Sequence, residues 1–113
     1  MARIGTHVLD TSRGLPACGV RVRLLRNGDV LNSAATNADG RTAEPLLQAD
    51  TIDAGVYELH FAAGDYFRGL GVKLGDPAFL EHVVIRFGVD DPKGHYHIPL
   101  LLSPFGYTTY RGS

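Results

Sequence analysis

Val83-Val84-Ile85-Arg86-Phe87-Gly88-Val89, then Asp90-Asp91-Pro92-Lys93-Gly94, then His95-Tyr96-His97-Ile98-Pro99-Leu100-Leu101-Leu102: two extended runs stand on either side of a turn signal. The first run is rich in β-branched and aromatic residues, the composition of a strand. The middle segment is turn chemistry, with Asp, Pro and Gly in sequence. The same punctuation recurs along the chain. Val20-Arg21-Val22-Arg23-Leu24 alternates apolar and cationic residues, the pattern of a strand with one buried and one wet face. Val56-Tyr57-Glu58-Leu59-His60-Phe61 and Tyr107 to Arg111 read as further strands. Between them lie Arg13-Gly14-Leu15-Pro16, Asn27-Gly28, Ala38-Asp39-Gly40 and Gly75-Asp76-Pro77, and Asn-Gly and Asp-Gly readily take the positive φ of tight hairpins. Short strands at near-regular spacing predict an all-β antiparallel sandwich, one domain over residues 1–113. One short helix of about two turns is predicted at Gly64–Leu70, where Tyr66, Phe67 and Leu70 share a face. Pro99 marks its run as an edge strand or bulge, because proline donates no N–H to a ladder. An edge carrying Leu100-Leu101-Leu102 invites pairing with another chain, so a homo-oligomer is expected.

Composition excludes several classes. Of the 113 residues 44% are hydrophobic and 20% charged, which is ordinary for a globular protein. A net charge of −1 with no basic block supplies no field for nucleic acid. No stretch approaches the roughly 20 apolar residues that cross a bilayer. The start, Met1-Ala2-Arg3-Ile4-Gly5-Thr6-His7, lacks the apolar core of a secretory signal, and a single cysteine, Cys18, fits a reducing compartment. A cytoplasmic setting is expected. No Gly-rich loop enters a helix, and Ser12, Ser33 and Ser103 lie in no nucleophile-elbow sequence. Cys18 reads as a small packing residue.

Histidine and arginine are the chemistry-bearing types that remain. His95 and His97 are two apart on an extended run and so share a face. Such a pair can chelate zinc, but nothing in the spacing of His7, Asp10 or Cys18 supplies the missing ligands, and two solvated imidazoles is the simpler reading. His7 lies in the first strand, while His60 and His82 have no comparable polar company in the sequence. Arg41 follows the turn Asn37-Ala38-Asp39-Gly40, where a guanidinium fork is free to clamp a carboxylate or a polar heterocycle. The chain stops on Tyr110-Arg111-Gly112-Ser113 directly after strand-like sequence, so these polar residues are expected to be built into the structure rather than frayed.

Three segments carry a resemblance: Thr6-His7-Val8-Leu9-Asp10-Thr11, Thr36-Asn37-Ala38-Asp39-Gly40-Arg41, and His95 through Ser113. Together they resemble the signature segments of the 5-hydroxyisourate hydrolases, enzymatic relatives of transthyretin. The likeness runs end to end, and the closing Tyr-Arg-Gly-Ser is specific to the enzymes. The resemblance implies a transthyretin-like sandwich of seven to eight strands with one short helix. It also implies a homotetramer built as a dimer of dimers, with active sites where the dimers meet. Carried over by motif, His7, Arg41, Tyr110 and Arg111 bind substrate, and His7, Arg41, His97 and Ser113 form the catalytic set. The implied reaction opens a cyclic amide of an oxidised purine in urate catabolism, with no metal and no organic cofactor. Histidine suits the general base and arginine the developing oxyanion. The rival is a transthyretin-like carrier of a small apolar ligand, which has no use for two histidines and an arginine at these positions.

Overall fold

A computed structural model describes residues 1–113. Nine strands and one helix follow in the order β1 (Ala2–Asp10), β2 (Leu15–Pro16), β3 (Arg21–Arg26), β4 (Asp29–Ala35), β5 (Leu47–Ala49), β6 (Gly55–Phe61), α1 (Ala63–Gly69), β7 (Val83–Val89), β8 (His95–Ser103) and β9 (Gly106–Thr109). They form two sheets, β2-β1-β8-β9 with β5 also on β1, and β4-β3-β6-β7. The expected all-β sandwich with one short helix is what forms. Two of the nine strands are stubs of two and three residues, which accounts for the count above seven to eight.

The alternation read in the sequence sets the faces. Val22 and Leu24 of β3, Tyr57, Leu59 and Phe61 of β6, and Val83, Ile85 and Val89 of β7 point inward. They meet Ala2, Ile4 and Val8 of β1 and Tyr96, Ile98, Leu100 and Leu102 of β8 in one core. Each large apolar side chain removed from water there contributes about 2 kcal/mol. The β3–β4 hairpin closes at Asn27-Gly28, both at positive φ (52° and 82°), as the dipeptide requires. Helix α1 is too short to be stable alone. It is held by burial of Tyr66 and Phe67, and the Tyr66 hydroxyl donates to the buried Asp10 carboxylate at 2.8 Å. Burial first, and then the Asp10 bond and charge, push the Tyr66 phenol up to about 12. No helix is long and apolar enough to cross a membrane.

Three expectations are corrected. Strand β8 is not an edge, since β1 flanks it on one side and β9 on the other. Leu100 and Leu102 are therefore core residues, and the apolar-edge argument for self-association falls. Pro99 is tolerated because of where its missing N–H falls. The Gly112 N–H donates to the His97 carbonyl, and alternation along β8 turns residue 99 to that same side, opposite Tyr110. The β8–β9 ladder breaks there, ending at Leu100↔Thr109 and resuming only at His97↔Gly112. The sandwich is also not wholly antiparallel, because β1 and β8 run parallel over Arg3↔His95 to Asp10↔Leu102. Finally, Cys18 is exposed rather than packed.

Candidate active site

The parallel β1–β8 pair builds the site. Its outward positions are Arg3, Gly5 and His7 on β1 and His95 and His97 on β8, alternating with buried neighbours. Gly5 lies level with His97 and His7 with Pro99. Buried Thr6 locks the two strands by donating its hydroxyl to the Ile98 carbonyl at 2.7 Å. The two outward imidazoles then stand 6.5 Å apart between ring centroids. Gly5 matters by what it lacks: a Cβ there would meet nothing within 4 Å, so the space beside His97 stays open.

Arg41 arrives from the Asn37–Gly40 turn. The Asn37 side-chain oxygen accepts from the Asp39 and Arg41 N–H groups (2.9 and 3.2 Å), which winds the turn. Gly40 takes φ 77°, and a Cβ at that position would press on the Val8 carbonyl oxygen and the His7 ring. With the Gly40 carbonyl accepting from the Val8 N–H at 2.8 Å, residue 41 pairs directly beside His7. At the other end of the chain Gly112 pairs with His97, at 2.7 Å between Gly112 N and His97 O, which brings Ser113 alongside.

A hollow of about 380 Å³ results. Arg41, His97 and Ser113 line it, together with Arg3, Gly5, His95 and the segment Thr42–Pro45. Burial foremost, and then the positive charges of Arg41, His7 and Arg3, hold the His97 imidazolium below the ordinary imidazole range. At neutral pH His97 is a neutral base in a cationic setting. His95 shares the face, and its Nε2–H donates to the Met1 carbonyl at 2.6 Å.

Thus Arg41, His97 and Ser113 line one hollow, while His7, paired with Arg41 and 6.5 Å from the His97 ring, stands beside it without lining it. Tyr110 and Arg111 do not line the hollow. Tyr110 is exposed, and the Arg111 guanidinium lies over the Tyr96 ring, 4.3 Å from its centroid. Arg3 and Gly5 were not among the expected site residues, although two-residue periodicity through His7 places both on its face. Glu44, the one acidic side chain lining the hollow, carries no comparable signal in the sequence.

The model of the HIUase/Transthyretin family matches residues 4–112. The chain belongs to this family. A relative called 5-hydroxyisourate hydrolase 2, from Rhizobium meliloti, is 56% identical over 98% of this chain and 96% of its own length. Among solved structures, the family fold recurs in the 5-hydroxyisourate hydrolase of Klebsiella pneumoniae, with a TM-score of 0.86 and 38% identity over the full length of both chains. It also recurs in a crystal structure of (S)-allantoin synthase, with a TM-score of 0.92 and 39% identity over 99% of this chain. This chain spans 44% of the synthase chain. Within the family, the match from residue 4 to residue 112 takes in His7, Arg41 and His97.

Proposed function

We propose that this protein hydrolyses 5-hydroxyisourate to 2-oxo-4-hydroxy-4-carboxy-5-ureidoimidazoline. The observation that carries the reading is His97, a neutral imidazole facing a polar hollow beside Arg41. Full-length relatives named 5-hydroxyisourate hydrolase support the choice of substrate.

The chemistry follows from these residue types. A water is deprotonated by His97 as its oxygen bonds to the lactam carbonyl carbon. Arg41 meets the oxyanion that develops, with a fixed charge that needs no proton transfer of its own. The ring C–N bond then breaks, and the leaving nitrogen takes a proton from His7. Tyr110 steadies the substrate ring, and Ser113 orients the His97 imidazole. No metal or organic cofactor enters any step.

Residues 1–113 act as one domain in the cytoplasm, as a homotetramer in which two dimers meet at the active sites. The end strands β7 and β9 each leave one side of their sheet unpaired, which supports edge-to-edge assembly. Ultraviolet decay of freshly generated 5-hydroxyisourate, with and without protein, tests the activity. Acceleration well above the spontaneous rate is expected, and an unchanged decay with ligand retained by the protein would select the carrier instead.

A further inference from the structure

The geometry points to Arg111 as a positioning residue that clamps the chain end onto His97 without meeting the substrate. This rests on the hydrolase reading given above. The Pro99 interruption leaves Tyr110 and Arg111 outside the β8–β9 ladder, so beyond Thr109 the ladder contributes a single backbone bond, Gly112 N–H to His97 O. A chain end with one such bond frays unless something else ties it down. Arg111 is what ties it down. Gly112 pairs with outward-facing His97, so alternation turns the exposed Arg111 side chain to the opposite face of the sheet. There its guanidinium stacks on Tyr96 and its Nη2 donates to the His95 carbonyl at 3.2 Å.

Tyr96 is a rigid platform for that stack. Its ring is buried, and its hydroxyl donates to Asp90 Oδ1 at 2.8 Å while accepting from the Asp90 and Asp91 N–H groups. Gly94 packs so closely that a Cβ there would lie 2.7 Å from the Tyr96 ring. The terminus that Arg111 holds is equally close-fitting: a Cβ at Gly112 would lie 2.6 Å from His97 Cδ2. The His-Tyr-His segment and the Tyr-Arg-Gly-Ser ending therefore form one device. His97 meets Gly112, and Tyr96 between the two histidines anchors Arg111.

Four measurements test this. In Arg111→Met, which keeps the apolar stem, kcat is expected to fall about tenfold or more with KM changed less than about twofold, because a placed group is lost rather than a substrate contact. Arg111→Lys, which restores the cation, is expected to recover part of the loss. Deleting Ser113 is expected to make Arg111→Met nearly silent, since both changes remove one placed terminus. A rise in KM with unchanged kcat, or multiplicative losses in the double variant, would overturn the proposal. The backbone 15N relaxation of Gly112 supplies a readout independent of turnover. It should report order in the parent and fast motion in Arg111→Met, and a Gly112 equally ordered in both would overturn the clamp even if the protein hydrolysed nothing.

Discussion

The outer faces of the two sheets use similar residues to opposite effect. On β1 and β8, Arg3, His95 and His97 stand with Arg41 around a hollow of about 380 Å³, and His7 lies beside them, 6.5 Å from His97 between ring centroids. On β3 and β6, Arg21, Arg23 and His60, joined by His82, line another of about 270 Å³. What separates them is the placement of carboxylates. His60 Nε2 sits 2.8 Å from Glu58 Oε1, and Glu58 also reaches Arg86 at 4.0 Å. Asp65, on the rim of that second hollow, is paired with Arg68. No ion pair engages His7, His97, Arg3 or Arg41. Guanidiniums around His97 keep its imidazole neutral and able to take a proton, whereas the His60 ring is tied to a carboxylate that holds it in place. Histidine content alone therefore says little, and the sign of the neighbouring charge says much.

The largest test of that contrast compares the two faces by mutation. His97→Ala and Arg41→Glu are each expected to lower kcat/KM by about 10² to 10⁴, the range a general base or oxyanion donor contributes. His60→Ala, on the other face, should leave kcat/KM within about twofold of the parent. Steady-state rates on 5-hydroxyisourate, with sedimentation to show unchanged assembly, decide it. Comparable losses on both faces would remove the distinction.

A smaller effect probes the cause rather than the consequence. His97 is held below its ordinary value of 6.5 by burial and then by Arg41, so Arg41→Gln should raise its pKa toward 6.5. The sign for stability follows. As pH falls from 6.5 to the folded-state value, the unfolded chain binds the proton and the folded chain does not, so stability drops through that window. In Arg41→Gln the window narrows and the acid-side loss shrinks. Proton NMR titration of the His97 ring reads the shift directly, and an unchanged pKa would discount the guanidinium. Arg3→Gln acts in the same direction and less, because Arg3 is the weakest of the three charges acting on His97.

Gly112 offers a finer test of geometry. Gly112→Ala must move either the chain end or the His97 ring by a fraction of an ångström, and misplacement on that scale is expected to cost about tenfold or more in kcat. Gly88→Ala is the control, since a Cβ there meets nothing within 4 Å. Equal rates in the two variants would mean that the ring tolerates movement.

Much of the scaffold was legible because its signals are local. The strands at Arg21–Arg26, Gly55–Phe61 and Val83–Val89 follow from alternation and β-branched composition, and the helix predicted at 64–70 forms at Ala63–Gly69. Strand β4 was not legible: Asp29-Val30-Leu31-Asn32-Ser33-Ala34-Ala35 has no two-residue period because most of it is exposed. Pro99 misled because its effect depends on which neighbour residue 99 faces, and that is a property of register, not of the run. The site divides the same way. Residue types and turn chemistry single out His97 and Arg41, but bringing His7, Arg41, His97 and Ser113 together takes pairings that span most of the chain, and only family resemblance anticipated them. The seating of Arg111 on Tyr96 depends on the same Pro99 break in the ladder and carries no local signal.

The smallest effect belongs to the paired face. Glu58→Gln removes the partner of His60 and of Arg86 while keeping the side chain's shape. Partly exposed pairs of this kind contribute about 0.2–1 kcal/mol, because solvent screens them and two side chains must be held still. For a domain of this size that corresponds to a fall in Tm of about 1–5 °C, with turnover unchanged. Differential scanning calorimetry and the ultraviolet assay together read both quantities. A loss of activity in Glu58→Gln without a loss of stability would mean that the two faces communicate through the sandwich.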